Sequence, residues 1–101
     1  MLSFTEENYL KAIFIFFVKE KKSASTNSLA RHLDTTPASV TDMLKRLAEK
    51  EMIHYERYKG VTLTAEGNRI ATSLIRRHRL WEVFLVEKLR FDWEHVHDLA
   101  E

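Results

Sequence analysis

The stretch "TTPASVTDMLKRLAEKEM", Thr35 to Met52, decides how the rest of the chain is read. Thr36 has the hydroxyl of a helix N-cap, and Pro37 follows at the first helical position, where its missing N–H and fixed φ suit the helix start. Val40, Met43, Leu44 and Leu47 recur at the three- and four-residue spacing of one buried stripe. At about 100° per residue, Ala38, Thr41, Asp42, Lys45 and Glu49 fall on the opposite side. A helix entered through small polar residues, with a cation on its outer face, can approach another surface closely.

Working outward, "STNSLARHLD" is a short helix with Ser25 or Thr26 as cap and Leu29, Ala30 and Leu33 inward. Before it, "TEENYLKAIFIFFVKEKK" starts a helix near Thr5, with acids at its positive end and lysines at its negative end. Tyr9, Leu10, Ile13, Phe14 and Phe17 form its core stripe. Ile15, Phe16 and Val18 widen that stripe, which predicts cover on more than one side. After Met52, Ile53 to Arg57 and Val61 to Thr64 are strand-like runs around a turn supplied by Gly60. Thr64 caps "TAEGNRIATSLIRRHRLWEVFLVEKL", although Gly67 in the first turn is unfavourable on propensity. A final helix opens at Asp92.

Helix, short helix, tight turn, helix and hairpin is the order of a winged helix-turn-helix. The expected fold is mainly α with a small β-hairpin, divided into a winged unit over 1–64 and a helical segment over 65–101. In such a unit the start of the second helix of the helix-turn-helix enters the DNA major groove. Thr35, Thr36, Pro37, Ala38, Ser39 and Thr41 then offer close approach and short hydrogen-bonding groups. Asp42 could accept from a cytosine amino group or limit affinity by repulsion. Lys45, with Arg57 and Lys59 on the wing, would contact phosphates.

Length and composition agree most simply with one globular domain. In 101 residues, 45% hydrophobic and 31% charged residues are enough for a modest core and too apolar for a disordered chain. "AIFIFFV" is too short to span a bilayer, no signal-peptide pattern precedes it, and cytoplasmic residence fits. The absence of cysteine excludes disulfides and thiolate metal sites. Net charge is only +1, but 45–59 and 69–79 gather Lys45, Arg46, Arg57, Lys59, Arg69, Arg76, Arg77 and Arg79, a hint of nucleic acid to be weighed with the fold.

The pattern His-x-x-x-Glu occurs twice, at His78–Glu82 and His97–Glu101. Residues four apart share a helix face, so each pair could chelate a cation or be an ordinary surface pair. The apolar run Trp81, Val83, Phe84, Leu85, Val86 and Leu89 lies beside the first pair. It is too large to leave wet, which predicts packing on helix one and on a second protomer, with Trp81, Phe84, Leu85 and Leu89 at the dimer interface.

"NYLKAIF", "SVTDMLKRLAEKEMI", "YKGVTLTAEG", "RRHRLWEVFL" and "VHDLAE" together resemble the diphtheria-toxin-repressor and manganese-transport-regulator family. The resemblance covers essentially the whole chain. It implies a homodimeric repressor that binds a palindromic operator when loaded with Mn²⁺ or Fe²⁺. It further implies that His78, Glu82 and His97 are ligands of an ancillary metal site and Glu101 of a neighbouring primary site, with Asn8 as a weak, uncharged ligand. Two positions depart from the family: Asn8 stands where Met or Asp is usual, and Lys11 where manganese-type members have Glu. Further Glu and His ligands are expected beyond Glu101.

Imidazole and carboxylate donors without thiolate suit Mn²⁺ or Fe²⁺ and would also take Zn²⁺, Co²⁺ or Ni²⁺. Two alternatives remain: a winged-helix regulator answering another signal, and a winged helix used only for protein contacts. An enzyme has no support, because no His-Glu-x-x-His, Gly-rich phosphate loop or nucleophile setting occurs and no small-molecule substrate is implied.

Overall fold

The computed structural model describes residues 2–21, 23–56 and 59–89, with only the backbone of 85–89. Arg57, Trp93, His95, His97, Glu101 and the helix expected from Asp92 lie outside the described residues, as do the side chains of Leu85 and Leu89. Six elements follow in order: α1 (Phe4–Glu20), α2 (Thr26–His32), α3 (Pro37–Glu49), β1 (Ile53–Glu56), β2 (Gly60–Leu63) and α4 (Ala65–Leu89). This is the expected winged helix-turn-helix followed by a long helix.

Each helix start has a chemical cause. Ser3 caps α1 through a capping box: its hydroxyl accepts from the Glu6 N–H, and the Glu6 carboxylate accepts from the Ser3 N–H. Ser25, not Thr26, caps α2, and Thr36 caps α3 with Pro37 next to it. Thr64 Oγ1 accepts from the Gly67 N–H at the head of α4. The helix ends are less ordinary. Lys21, Asp34 and Glu51 close α1, α2 and α3 with positive φ, a conformation usually left to glycine.

The core is one cluster. Tyr9, Leu10, Ala12 and Ile13 of α1 meet Leu29 and Ala30 of α2, and Val40, Met43, Leu44 and Leu47 of α3, with Ile53, Val61 and Ala71 closing it. Every position assigned to the α3 stripe is buried. In α1 the expected stripe runs too far: Phe17 and Val18 are 55% and 54% exposed, because α1 outruns the elements packed on it. Glu6 and Ala12 are buried in their place.

β1 and β2 pair antiparallel, with Ile53 opposite Leu63 and Glu56 opposite Gly60. β2 ends at Leu63, one residue earlier than expected, since Thr64 leaves to cap α4. A third segment joins the wing. Ala24 and Val61 exchange both backbone hydrogen bonds, at 3.2 and 2.9 Å, and Ser23 Oγ donates to the Lys59 carbonyl at 3.0 Å. Gly60, at φ +90°, lies beneath this contact, where a Cβ would stand 2.6 Å from Ser23 Oγ.

Gly67, the misfit of the sequence pattern, also has its reason. A Cβ there would fall inside the Met52 carbonyl oxygen, so glycine lets the first turn of α4 sit on the turn after α3. No helix among the described residues is long and apolar enough to cross a membrane.

Candidate metal cleft and nucleic-acid face

α1 and α4 pack along each other and leave a cleft of about 480 Å³. Asn8, Lys11 and Ile15 line it from α1, and Ile75, His78, Arg79 and Glu82 from α4. His78 and Glu82 are one turn apart on α4, which puts both on the same face. His78 Nε2 is 3.0 Å from Glu82 Oε1, and the two side chains are only 16% and 7% exposed. Arg79 Nη1 stands 3.9 Å from the same carboxylate oxygen. A carboxylate this buried needs such partners, because its desolvation is otherwise uncompensated.

The first His-x-x-x-Glu is thus a buried pair in a cleft, not a surface contact. Asn8, predicted as a ligand, lines the same cleft from α1. The second pair, His97 and Glu101, lies outside the described residues. Among the described residues no three His, Cys, Asp or Glu side chains gather. The donors present are an imidazole nitrogen, a carboxylate oxygen and an amide oxygen. They fit part of the coordination shell of a first-row divalent cation such as Mn²⁺ or Fe²⁺. Lys11 and Arg79 bring positive charge to the same cleft and oppose it.

Sequence reasoning missed Arg79 and His32 as residues of this cleft. His32 lines its edge while its ring meets Phe16 edge-on, with centroids 5.5 Å apart. His54 is exposed.

The apolar run of α4 divides differently from expectation. Trp81, Val83 and Phe84 are left exposed, at 58%, 43% and 44%, and Leu80 joins them. Ala71, Ile75, His78 and Glu82 turn inward along one stripe of α4, with Ile70 packed against the core beside them. Trp81 and Phe84 meet edge-to-face at 5.5 Å.

α2 and α3 are joined by the turn Leu33–Thr36, whose first residue also lines the cleft. Thr35, Thr36, Pro37, Ala38, Ser39, Asp42 and Lys45 are all exposed, and Thr41 is half-buried. Three of their hydroxyls are already in use, with Thr36 Oγ1 donating to Ser39 Oγ at 3.0 Å. Thr36 Oγ1 accepts from the Ser39 N–H at 3.2 Å, and Thr41 Oγ1 donates to the Pro37 carbonyl at 3.0 Å. Lys59 on the wing is exposed and lies 3.2 Å from Glu56 Oε2, an ion pair in open solvent that is readily exchanged for a phosphate.

Comparison with known proteins adds to this geometry. Residues 1–61 match the iron dependent repressor, N-terminal DNA binding domain, and residues 64–101 match the iron dependent repressor, metal binding and dimerisation domain. The HTH-type transcriptional regulator MntR of Shouchella clausii is 40% identical over 79 residues, 78% of this chain and 54% of that protein. An uncharacterised HTH-type transcriptional regulator of Methanocaldococcus jannaschii is 36% identical over 86 residues, 85% of this chain and 69% of that protein.

Among solved structures, a manganese-dependent transcriptional repressor in complex with manganese superposes with a TM-score of 0.79 at 35% identity, over 94% of this chain and 43% of that one. ScaR with bound Zn²⁺ gives 0.80 at 32% identity, over 94% and 44%. The chain spans about half the length of the Shouchella relative and less than half of these two structures. With two family models meeting between residues 61 and 64 and covering nearly all of it, the chain belongs to the iron-dependent repressor family.

Proposed function

We propose that this chain is the DNA-binding and metal-sensing part of a metal-dependent transcriptional repressor. The observation that carries the proposal is the buried His78–Glu82 pair facing Asn8 across the α1–α4 cleft, on a winged helix-turn-helix whose α3 entry is exposed. Residues 1–64 act as the DNA-binding unit and 65–101 as the metal-binding and dimerising unit. The relatives' regulator names, and the manganese held by one of the similar solved structures, support the same assignment.

His78, Glu82 and Asn8 would hold the ion, with His97 and Glu101 as further ligands. Mn²⁺ or Fe²⁺ is the cofactor and supplies positive charge shared between helices, with no part in bond-making. The chain's own residues do the rest. Thr35, Pro37, Ala38 and Ser39 enter the major groove, Thr36 and Thr41 hold the α3 entry in shape, and Asp42 tunes the approach. Lys45, Arg57 and Lys59 engage phosphates. Trp81 and Phe84, with Leu85 and Leu89, form the contact with a second copy. Two α3 helices then meet successive grooves of a palindrome. The partners are therefore duplex DNA and an identical protomer, in the cytoplasm, and the protein is no enzyme.

A Mn²⁺ titration followed by tryptophan emission tests this, since Trp81 lies between His78 and Glu82 in sequence. Saturable micromolar quenching, absent in His78→Ala, with tighter duplex binding in Mn²⁺ is the expected result; ~1 μM corresponds to about 8 kcal/mol. Duplex affinity unchanged by Mn²⁺ and by chelator would leave a winged-helix regulator with another signal. The lining of the cleft by Lys11 and Arg79 favours that second possibility.

A further inference from the structure

We propose that the turn ending α3, Lys50 to Met52, is where the state of the cleft reaches the DNA-reading helix, with the Glu6–Lys50 pair as its positioning contact. This rests on the metal-controlled function proposed above and adds the route.

Both helices that build the cleft are fastened to this one turn. From α1, Glu6 is 3% exposed, and its carboxylate is held by two donors: Lys50 Nζ at 2.6 Å from Oε2 and the Ser3 N–H at 2.9 Å from Oε1. From α4, the Thr64 N–H donates to the Met52 carbonyl at 3.1 Å and Thr64 Oγ1 to the Glu51 carbonyl at 2.8 Å. Gly67 presses against that same Met52 carbonyl.

The turn is in its own right continuous with α3. The Lys50, Glu51 and Met52 N–H groups donate to the Arg46, Ala48 and Leu47 carbonyls at 3.2, 3.0 and 3.0 Å. Its conformation has little slack, since Glu51 is held at φ +60°.

The two arms are unequal in length. Glu6 is two residues from Asn8 on α1, whereas Thr64 is fourteen residues from His78, about 21 Å along α4. A change in spacing between α1 and α4 at the cleft therefore turns one helix against the other about a point close to Lys50. The contacts form a chain of hydrogen bonds and one ion pair with its carboxylate buried and its ammonium partly exposed, which can carry a two-state change between separated sites. A cation must favour one spacing over the other for any of this to act.

The double variant Glu6→Gln with Lys50→Met removes the pair without leaving a buried charge unpaired. Gln at residue 6 keeps the hydrogen bond to the Ser3 N–H, so the α1 cap survives. Three measurements are made on it and on the unaltered chain: thermal unfolding, Mn²⁺ affinity by tryptophan quenching, and affinity with and without Mn²⁺ for duplexes selected from a random pool by the Mn²⁺-loaded chain.

The expected result is a folded variant whose Mn²⁺ affinity stays within about twofold, while the gain in duplex affinity on adding Mn²⁺ falls at least tenfold, which is about 1.4 kcal/mol of coupling. Lys50→Arg retains the gain. Lys50→Gln, which still donates but carries no charge, gives the same comparison in a milder background. A full Mn²⁺ gain in the double variant or in Lys50→Gln overturns the coupling route alone. An unaltered chain that binds Mn²⁺ without any change in duplex affinity overturns the metal-controlled function and this route with it.

Discussion

The backbone of Gly67 lies directly against the carbonyl of Met52, so close that a single added methyl group has no room. This contact seats the first turn of α4 on the turn after α3. It explains why a residue poor for helices occupies the start of a 25-residue helix.

Gly67→Ala should therefore destabilise the protein, although alanine is the better helix former by about 1 kcal/mol. Forcing a Cβ against backbone costs roughly 1–3 kcal/mol or more. The check is a urea unfolding curve: the midpoint falls. A raised midpoint would show that the turn yields freely.

Acid should weaken the α1–α3 connection in a defined window. The Lys50 ammonium, then the Ser3 N–H, hold the Glu6 carboxyl down at about 2 against an ordinary 4.5, over the opposing effect of burial. A carboxyl depressed in the folded state adds stability that is complete above its unfolded pKa. That contribution is lost as pH falls from about 4.5 towards 2. The stability difference between the unaltered chain and Glu6→Gln should be constant near neutrality and shrink across that window, measured by urea titrations at successive pH values.

Glu82→Gln should weaken Mn²⁺ binding at least tenfold, about 1.4 kcal/mol, because the charged oxygen beside His78 is replaced by a neutral donor. Isothermal titration at fixed pH measures it. Binding unaltered by this change would move the metal site away from the first His-x-x-x-Glu.

Lys45→Ala should lower affinity for unrelated duplexes by a similar factor and reduce the slope of log affinity against log salt by about one. Fluorescence anisotropy at several salt concentrations separates this from loss of a base-specific contact, which would leave the slope alone.

Trp81→Glu should shift the protein towards monomer in sedimentation velocity, since Trp81 and Phe84 stand exposed as a paired aromatic surface on α4. Unchanged assembly would place the dimer contact elsewhere.

Much of this architecture was legible in the sequence. The α3 stripe, Thr36 cap and Pro37 start are local patterns of side-chain type and spacing, and each holds in the structure. The His78–Glu82 proximity was equally local, being fixed by four residues of helix. What the sequence left open depends on contacts between distant segments. Lys50 and Glu6 are 44 residues apart and carry no pattern that pairs them. Burial of Glu6 could be half anticipated, because Ser3-x-x-Glu6 is a capping box in plain view. The exposure of Phe17 and Val18 could not, since helix period assigns a face but not how far a neighbour covers it. Gly67 and Gly60 were opposite cases: the turn predicted Gly60, while only a tertiary contact accounts for Gly67.

The two backbone hydrogen bonds between Ala24 and Val61 also have a consequence for motion. They weld the wing to the segment entering α2, and β1 continues directly from the end of α3, so α2, α3 and the wing travel as one reading head. α1 shares their buried core, so such a head and α1 keep one shape together. Regulation would then lie in the angular phase between two such heads on the double helix, with the chemistry that touches the bases left the same in both states.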